Sequence, residues 1–159
     1  MKLSVLIFAS LAIAIVSVSA CTLEDKISLC VMQEENIESY IANKYADSTV
    51  VVSEHGISRV VMVHGIGNPA QAGDSVLFSY QGYTFENGPG NQFAEGTVKS
   101  RLGNGSLLSG LDEGMAGMMR GEEAYIIFSA RYGFFDQAAG SVVPMTPLIY
   151  YVKLEDIYK

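Results

Sequence analysis

Tryptophan is absent from the 159 residues, histidine occurs only at positions 55 and 64, and cysteine only at 21 and 30. These side chains are too few and too scattered for an ordinary zinc site, which gathers three or four His, Cys or carboxylate ligands at close spacing. No G-x-S-x-G turn occurs, and neither His55 nor His64 has an evident serine partner, so serine-nucleophile chemistry has no sequence support. Basic residues are also scarce: ten Lys and Arg stand against 17 Asp and Glu, for a net charge of −7. Nucleic-acid binding needs clustered Lys and Arg to displace counterions, and that class is excluded. Gly103-Asn104-Gly105-Ser106-Leu107-Leu108 begins like a dinucleotide fingerprint, but Leu108 stands where the third glycine belongs. An activity without cofactor or metal, or a binding role, is what remains.

What is present begins at the N-terminus. Lys2 precedes an apolar stretch over residues 3–18, and Ser19 and Ala20 follow as a small-residue pair. The stretch contains three serines and is short for a bilayer span, so residues 1–20 are expected to be a signal peptide outside the fold. Val18-Ser19-Ala20-Cys21 resembles the lipobox of bacterial lipoproteins, which implies lipidation of Cys21 and a membrane anchor in the bacterial cell envelope. The acidic run Glu24-Asp25 after the cysteine resembles signals that carry some lipoproteins from the periplasmic face of the outer membrane to the cell surface. A Cys21–Cys30 disulfide is the alternative use of these thiols. Cleavage would leave 9 basic against 17 acidic residues, a net −8.

Residues 21–33 read as a tether, and residues 34–48 hold an amphipathic helix. Ile37, Tyr40, Ile41 and Tyr45 recur at three-to-four spacing, with Glu35, Glu38 and Lys44 opposite. Its expected role is to pack on the edge of its own domain, with dimerisation as the lesser alternative. Over residues 49–159 the pattern changes to short β-rich runs between Gly, Asn and Asp. Strands are expected over 49–53, 57–64, 75–83, 124–130 and 147–156. The one helical pattern among them is the segment SGLDEGMAGMMRGE at 109–122, with Ser109 and Asp112 as a capping box and Gly121 as the stop. Leu111, Met115 and Met118 share one face, while Gly114 and Gly117 imply close backbone approach. Many strands and a single short helix make the expected class α+β with an antiparallel sheet.

The residues AGDSVLFSYQG at 72–82, NQF at 91–93, LGNGSLLSGLDEGMAGMMRGEEAYIIFSARYGFF at 102–135 and VVPMTPLIYYVKLEDI at 142–157 carry a more specific signal. They resemble the FKBP-type peptidyl-prolyl isomerases, whose pattern runs G-D-x-V-x-x-x-Y-x-G, then L-G-x-x-x-x-I-x-G-[WL]-x-E-G-x-x-x-M-x-x-G-E-x-A, then a proline pair before the last strand. The resemblance implies a bent antiparallel sheet wrapped around one short helix, here with an extra N-terminal helix. It also implies a cofactor-free isomerase acting on Xaa-Pro bonds, with proline-containing polypeptides and macrolide FKBP ligands as partners. Its catalytic pocket would comprise Tyr80, Phe93, Leu108, Leu111, Phe134 and Tyr150, with Leu107 and Val142 binding substrate. Val143 replaces Val142 if the loop before Pro144 shifts in register. Leu111 stands at the pocket floor where the family often has tryptophan, and the Leu108 N–H would hold a substrate carbonyl.

Departures from the pattern imply weakened substrate orientation. Ala94 replaces the usual aspartate after Phe93, with Glu95 next along, and Phe134 lacks the hydroxyl of the usual tyrosine. Each lost polar contact costs about 0.5–1.5 kcal/mol. The alternative function is therefore a catalytically weak FKBP-like module that binds polypeptides as a chaperone.

Overall fold

The computed structural model describes the backbone from Lys2 and the side chains from residue 23 onward. The signal-peptide expectation for residues 1–20 and the lipidation of Cys21 lie outside the residues so described. The first helix, α1 (Lys2–Lys44), leads into β1 (Thr49–Val52), β2 (Ser58–Val63), β3 (Ser75–Phe85) and β4 (Pro89–Arg101). A short helix α2 (Ser109–Met115), β5 (Glu123–Phe128), a 3-10 turn (Ala130–Tyr132) and β6 (Leu148–Tyr158) follow. The six strands form one antiparallel sheet in the order β1-β2-β5-β6-β3-β4, the α+β architecture expected.

Strand alternation gives the sheet two apolar faces. On β5, Ala124, Ile126 and Phe128 face α2, together with Val76, Phe78, Leu148, Tyr150, Val152 and Leu154 from β3 and β6. Leu111 and Met115 fill this main core from α2, as their shared face predicts. Met118, expected on the same helical face, lies beyond the helix end and enters the core from the following turn. On the opposite face, Ile37 and Ile41 of α1 cover Val60, Phe85, Ile127 and Ile149, flanked by Tyr40 and Tyr45. Each fully buried aliphatic or aromatic side chain here contributes roughly 1.5–3 kcal/mol. The helix thus packs on its own domain.

Three expectations need correction. The helix does not start at residue 34: residues 23–33, read as a tether, are helical, and Cys30 is buried within that stretch. β4 is a full strand of 13 residues, whose start the turn-like run Glu86-Asn87-Gly88-Pro89-Gly90 concealed. It lies at the sheet edge and pairs only with β3, so polar residues and a first-position proline are tolerated there. The capping box also fails. Helix α2 ends at Met115 and its N-cap is Leu108, with no side-chain cap. The Ser109 hydroxyl instead donates to the Tyr132 carbonyl at 3.2 Å, and Asp112 accepts the Gly103 N–H at 3.0 Å.

Close approach explains the glycines, though not the pair expected. A Cβ at Gly110 would lie 2.4 Å from Phe128 Cγ, and one at Gly114 would lie 2.3 Å from Ile126 Cγ2. Gly117 lies beyond the helix and instead needs its φ of +84°. Arg59 of β2 secures the other end of α2, donating from Nη1 to the Gly114 carbonyl at 3.0 Å and to the Ala116 carbonyl at 2.7 Å. A cation there complements the helix dipole. Its buried guanidinium also meets Glu122 at 3.3 Å; burial lowers the Arg59 pKa and the carboxylate partly offsets that.

Gly114→Ala is predicted to destabilise the protein by about 1–3 kcal/mol through overpacking against β5. Urea unfolding would read this as a lower midpoint at unchanged slope.

Candidate active site

Five aromatic rings from five separate segments meet in one cluster. Tyr150 of β6 is the hub. Its ring centroid is 6.0 Å from Tyr80 of β3, 5.8 Å from Phe93 of β4 at 90°, and 5.9 Å from Phe128 of β5 in a stacked geometry. Phe93 meets Phe134, from the segment after the 3-10 turn, edge-on at 6.1 Å. In the same core cluster Leu111, Val142 and Tyr150 are 5%, 1% and 4% exposed, whereas Tyr80, Phe93, Leu107, Leu108 and Phe134 are half-buried and pack against it. A buried apolar base beside half-exposed aromatic walls has the make-up of an apolar binding cleft.

Local backbone features aim these side chains. Gly82 pairs with Ala94 and Tyr83 with Gln92, so Phe93 is the unpaired residue of a β-bulge. Such bulges bend a strand and redirect a side chain. A Cβ at Gly82 would lie 2.8 Å from Tyr150 Cε1 and 3.0 Å from Phe93 Cζ, so the absent side chain is what lets those rings meet. The Leu108 N–H donates to no acceptor among the described residues, while its carbonyl starts α2 by accepting the Leu111 and Asp112 N–H groups. Among the described residues it is a free donor immediately before α2.

Tyr80, Phe93, Leu107, Leu108, Leu111, Phe134, Val142 and Tyr150, the residues expected at the site, all lie in the main core cluster or pack against it. Val143, the alternative to Val142, is 66% exposed and stands outside the cluster. Phe128 was missed, although its place at the end of the alternating Ala124, Ile126, Phe128 series puts it on this face. Among the described residues no group of three or more His, Cys, Asp or Glu converges where a metal could be held.

A family model described as FKBP-type peptidyl-prolyl cis-trans isomerase matches residues 67–155, from before β3 nearly to the end of β6. The chain belongs to that family. It is an FKBP-type peptidyl-prolyl cis-trans isomerase. The chain is 29% identical over 111 residues to FK506-binding protein 1 of Aspergillus oryzae, covering 62% of this chain and 96% of that protein. It is 31% identical over 109 residues to FK506-binding protein 1 of Gibberella zeae, covering 64% and 98%. The fold is similar to that of a peptidyl-prolyl cis-trans isomerase from Pseudomonas syringae pv. tomato, with a TM-score of 0.66 at 20% identity, over 83% of this chain and 95% of that one.

Seen as an FKBP domain, the site has an unusual polar inventory. Ala94 sits opposite Gly82, on the same face as Tyr80, which is paired with Gly96. Glu95 pairs with Gln81 on the outer face and accepts a hydrogen bond from the Gln92 amide at 2.9 Å, so it does not stand in for an acid at position 94. The Tyr80 hydroxyl has no hydrogen-bond partner among the described residues, nor does that of Tyr150. Burial, reinforced by the neighbouring Tyr80, pushes the Tyr150 phenol well above its ordinary value. Tyr150 thus remains a neutral donor throughout the physiological range.

Gly82→Ala is predicted to separate Phe93 from Tyr150 and to weaken binding of a proline-containing tetrapeptide about tenfold. Titration calorimetry on the folded variant would measure it; unchanged affinity would mean that the two rings do not form the binding surface.

Proposed function

We propose that this isomerase binds Xaa-Pro segments of exported polypeptides with the prolyl ring seated on Leu111 and Val142, walled by Tyr80, Phe93, Phe134 and Tyr150. The observation that carries this reading is the aromatic box over a buried floor, with the unpartnered Leu108 N–H at its rim. That N–H is suited to hold the carbonyl next to the prolyl bond. Rotation about Xaa-Pro faces a barrier of about 20 kcal/mol because twisting breaks C–N resonance. The twisted amide is less charge-separated than the planar one, so a water-poor apolar cleft favours it. A turn that aims an N–H of the bound chain at the prolyl nitrogen lowers the barrier further. Neither device needs a titrating base, which suits a site whose walls are aromatic and aliphatic.

In this reading residues 1–20 export the chain and a lipid on Cys21 anchors it to the bacterial cell envelope, on the periplasmic face of the outer membrane or on the cell surface. The lipobox-like Val18-Ser19-Ala20-Cys21 supports it. Macrolide FKBP ligands are proposed to occupy the same cleft, because its apolar floor and aromatic walls suit an apolar ring in place of proline.

A protease-coupled assay of the full chain on a Xaa-Pro-Phe peptide is expected to show a rate above the uncatalysed one. Ala94→Asp, which restores an acid beside the free Tyr80 hydroxyl, is expected to raise kcat/KM about two- to twelvefold, the value of one regained hydrogen bond. A wild-type rate equal to the uncatalysed one, with peptide binding retained, would replace catalysis by the chaperone-like binding role that Ala94 and Phe134 favour. For the anchor, Cys21→Ser is predicted to move the protein from the membrane to the soluble fraction, and intact mass should show acyl chains on wild-type Cys21. An unacylated mature chain would overturn the anchor.

A further inference from the structure

Helix α1 does more than cover the outer face of the sheet. Gln33 reaches both ends of the segment that closes the cleft. Its side-chain oxygen accepts the Ala130 N–H at 2.9 Å, and its amide nitrogen donates to the Met145 carbonyl at 2.8 Å. Phe134 and Val142, one wall and part of the floor, lie between those two points of attachment. Neighbouring α1 residues grip the same segment. Glu34 accepts the Ser129 hydroxyl at 2.8 Å and lies 4.0 Å from Arg131 Nε, and Lys26 meets Asp136 at 3.1 Å.

The gripped segment is strained. Phe135 and Met145 hold φ values of 51° and 62°, in the left-handed region that non-glycine residues seldom occupy. They are joined directly, the Met145 N–H donating to the Phe135 carbonyl at 2.6 Å. Conformations of this kind persist only where surrounding structure over-determines them. The two Gln33 bonds supply such a restraint, one on Met145 itself and one at Ala130, whose carbonyl accepts the Phe135 N–H at 2.9 Å.

We propose that Gln33 is a positioning residue for the isomerase, which latches α1 across the two ends of the 130–145 segment and so sets Phe134 and Val142 over the cleft. Gln33 touches no substrate in this role. The proposal rests on the isomerase reading of the cleft, and its test keeps the two apart.

The full chain would be compared as wild type, Gln33→Leu, which removes both bonds, and Gln33→Glu, which keeps an acceptor for the Ala130 N–H. In Gln33→Leu, amide exchange at Ala130 and Phe135 is expected to accelerate about tenfold while the β3–β6 ladder keeps its protection. The same variant should raise KM for an Ala-Leu-Pro-Phe peptide, and its calorimetric Kd, about fivefold, with kcat changed less than twofold. Gln33→Glu should restore slow exchange at Ala130 and part of the affinity. Exchange accelerated uniformly across the sheet would overturn the proposal by showing a purely structural role, and unchanged exchange and Kd would overturn it outright. A wild type without isomerase activity would defeat the functional reading alone, because the exchange and peptide-binding results decide the latch independently.

Discussion

Helix α2 can lie against β5 only because Gly110 and Gly114 present bare backbone to Phe128 and Ile126. That contact sets the depth of the helix, and much of the site follows from the depth. Leu111, one residue beyond Gly110, is held at the floor, while Leu108, immediately before the helix, leaves its N–H free at the rim. Met115 and Met118 fill the space that remains beneath the sheet. The two glycines lower helix propensity by roughly 1 kcal/mol each relative to alanine, and the packing they permit offsets that loss. Arg59 reinforces the arrangement from the opposite end by bonding the last carbonyls of the helix, while Glu122 holds both the guanidinium and the Met119 N–H.

Tyr150 links this scaffold to the chemistry. It stacks on Phe128, the ring that Gly110 accommodates, and carries the Tyr80 and Phe93 walls on its other edges. The depth of α2 and the spacing of the aromatic walls are therefore coupled through two rings. The polar side of the cleft is much thinner. With Ala94 facing inward and Glu95 facing outward, the proposed mode of binding leaves orientation of a peptide to the Leu108 N–H and the Tyr80 and Tyr150 hydroxyls, none of which has a partner among the described residues. Such a site is suited to apolar desolvation of a prolyl bond more than to strong polar anchoring of the flanking chain.

Much of this was legible in the chain because spacing constrains the helix and the paired strands so tightly. Leu111 and Met115, four residues apart, share a face of α2 as their spacing indicates, and Gly114 between them lets the helix approach β5. Met118, expected on the same face, reaches the core from beyond the helix end. The aromatic walls emerged through the family pattern and not from periodicity, since Tyr80, Phe93, Phe134 and Tyr150 are separated by long stretches and meet only in the folded sheet. β4 escaped notice because an edge strand buries little and Glu86-Asn87-Gly88-Pro89-Gly90 reads as a turn. The bonds of Gln33 and Glu34 were equally hidden: nothing local distinguishes a latch residue from any polar residue on a helix. Ser109 misled for the opposite reason, its capping pattern being overridden by a tertiary bond to Tyr132.

The central claim is that an apolar cleft set by α2 and walled by aromatic rings twists the prolyl bond. Exchange NMR spectroscopy on an Ala-Leu-Pro-Phe peptide tests it most directly, by measuring cis–trans interconversion with catalytic amounts of the full chain. Wild type is predicted to speed the exchange, and Phe93→Ala, which removes a half-buried wall while leaving the core in place, is predicted to abolish most of that acceleration with the amide spectrum of the sheet preserved. Exchange at the uncatalysed rate with wild type, or undiminished catalysis by the folded Phe93→Ala variant, would contradict it.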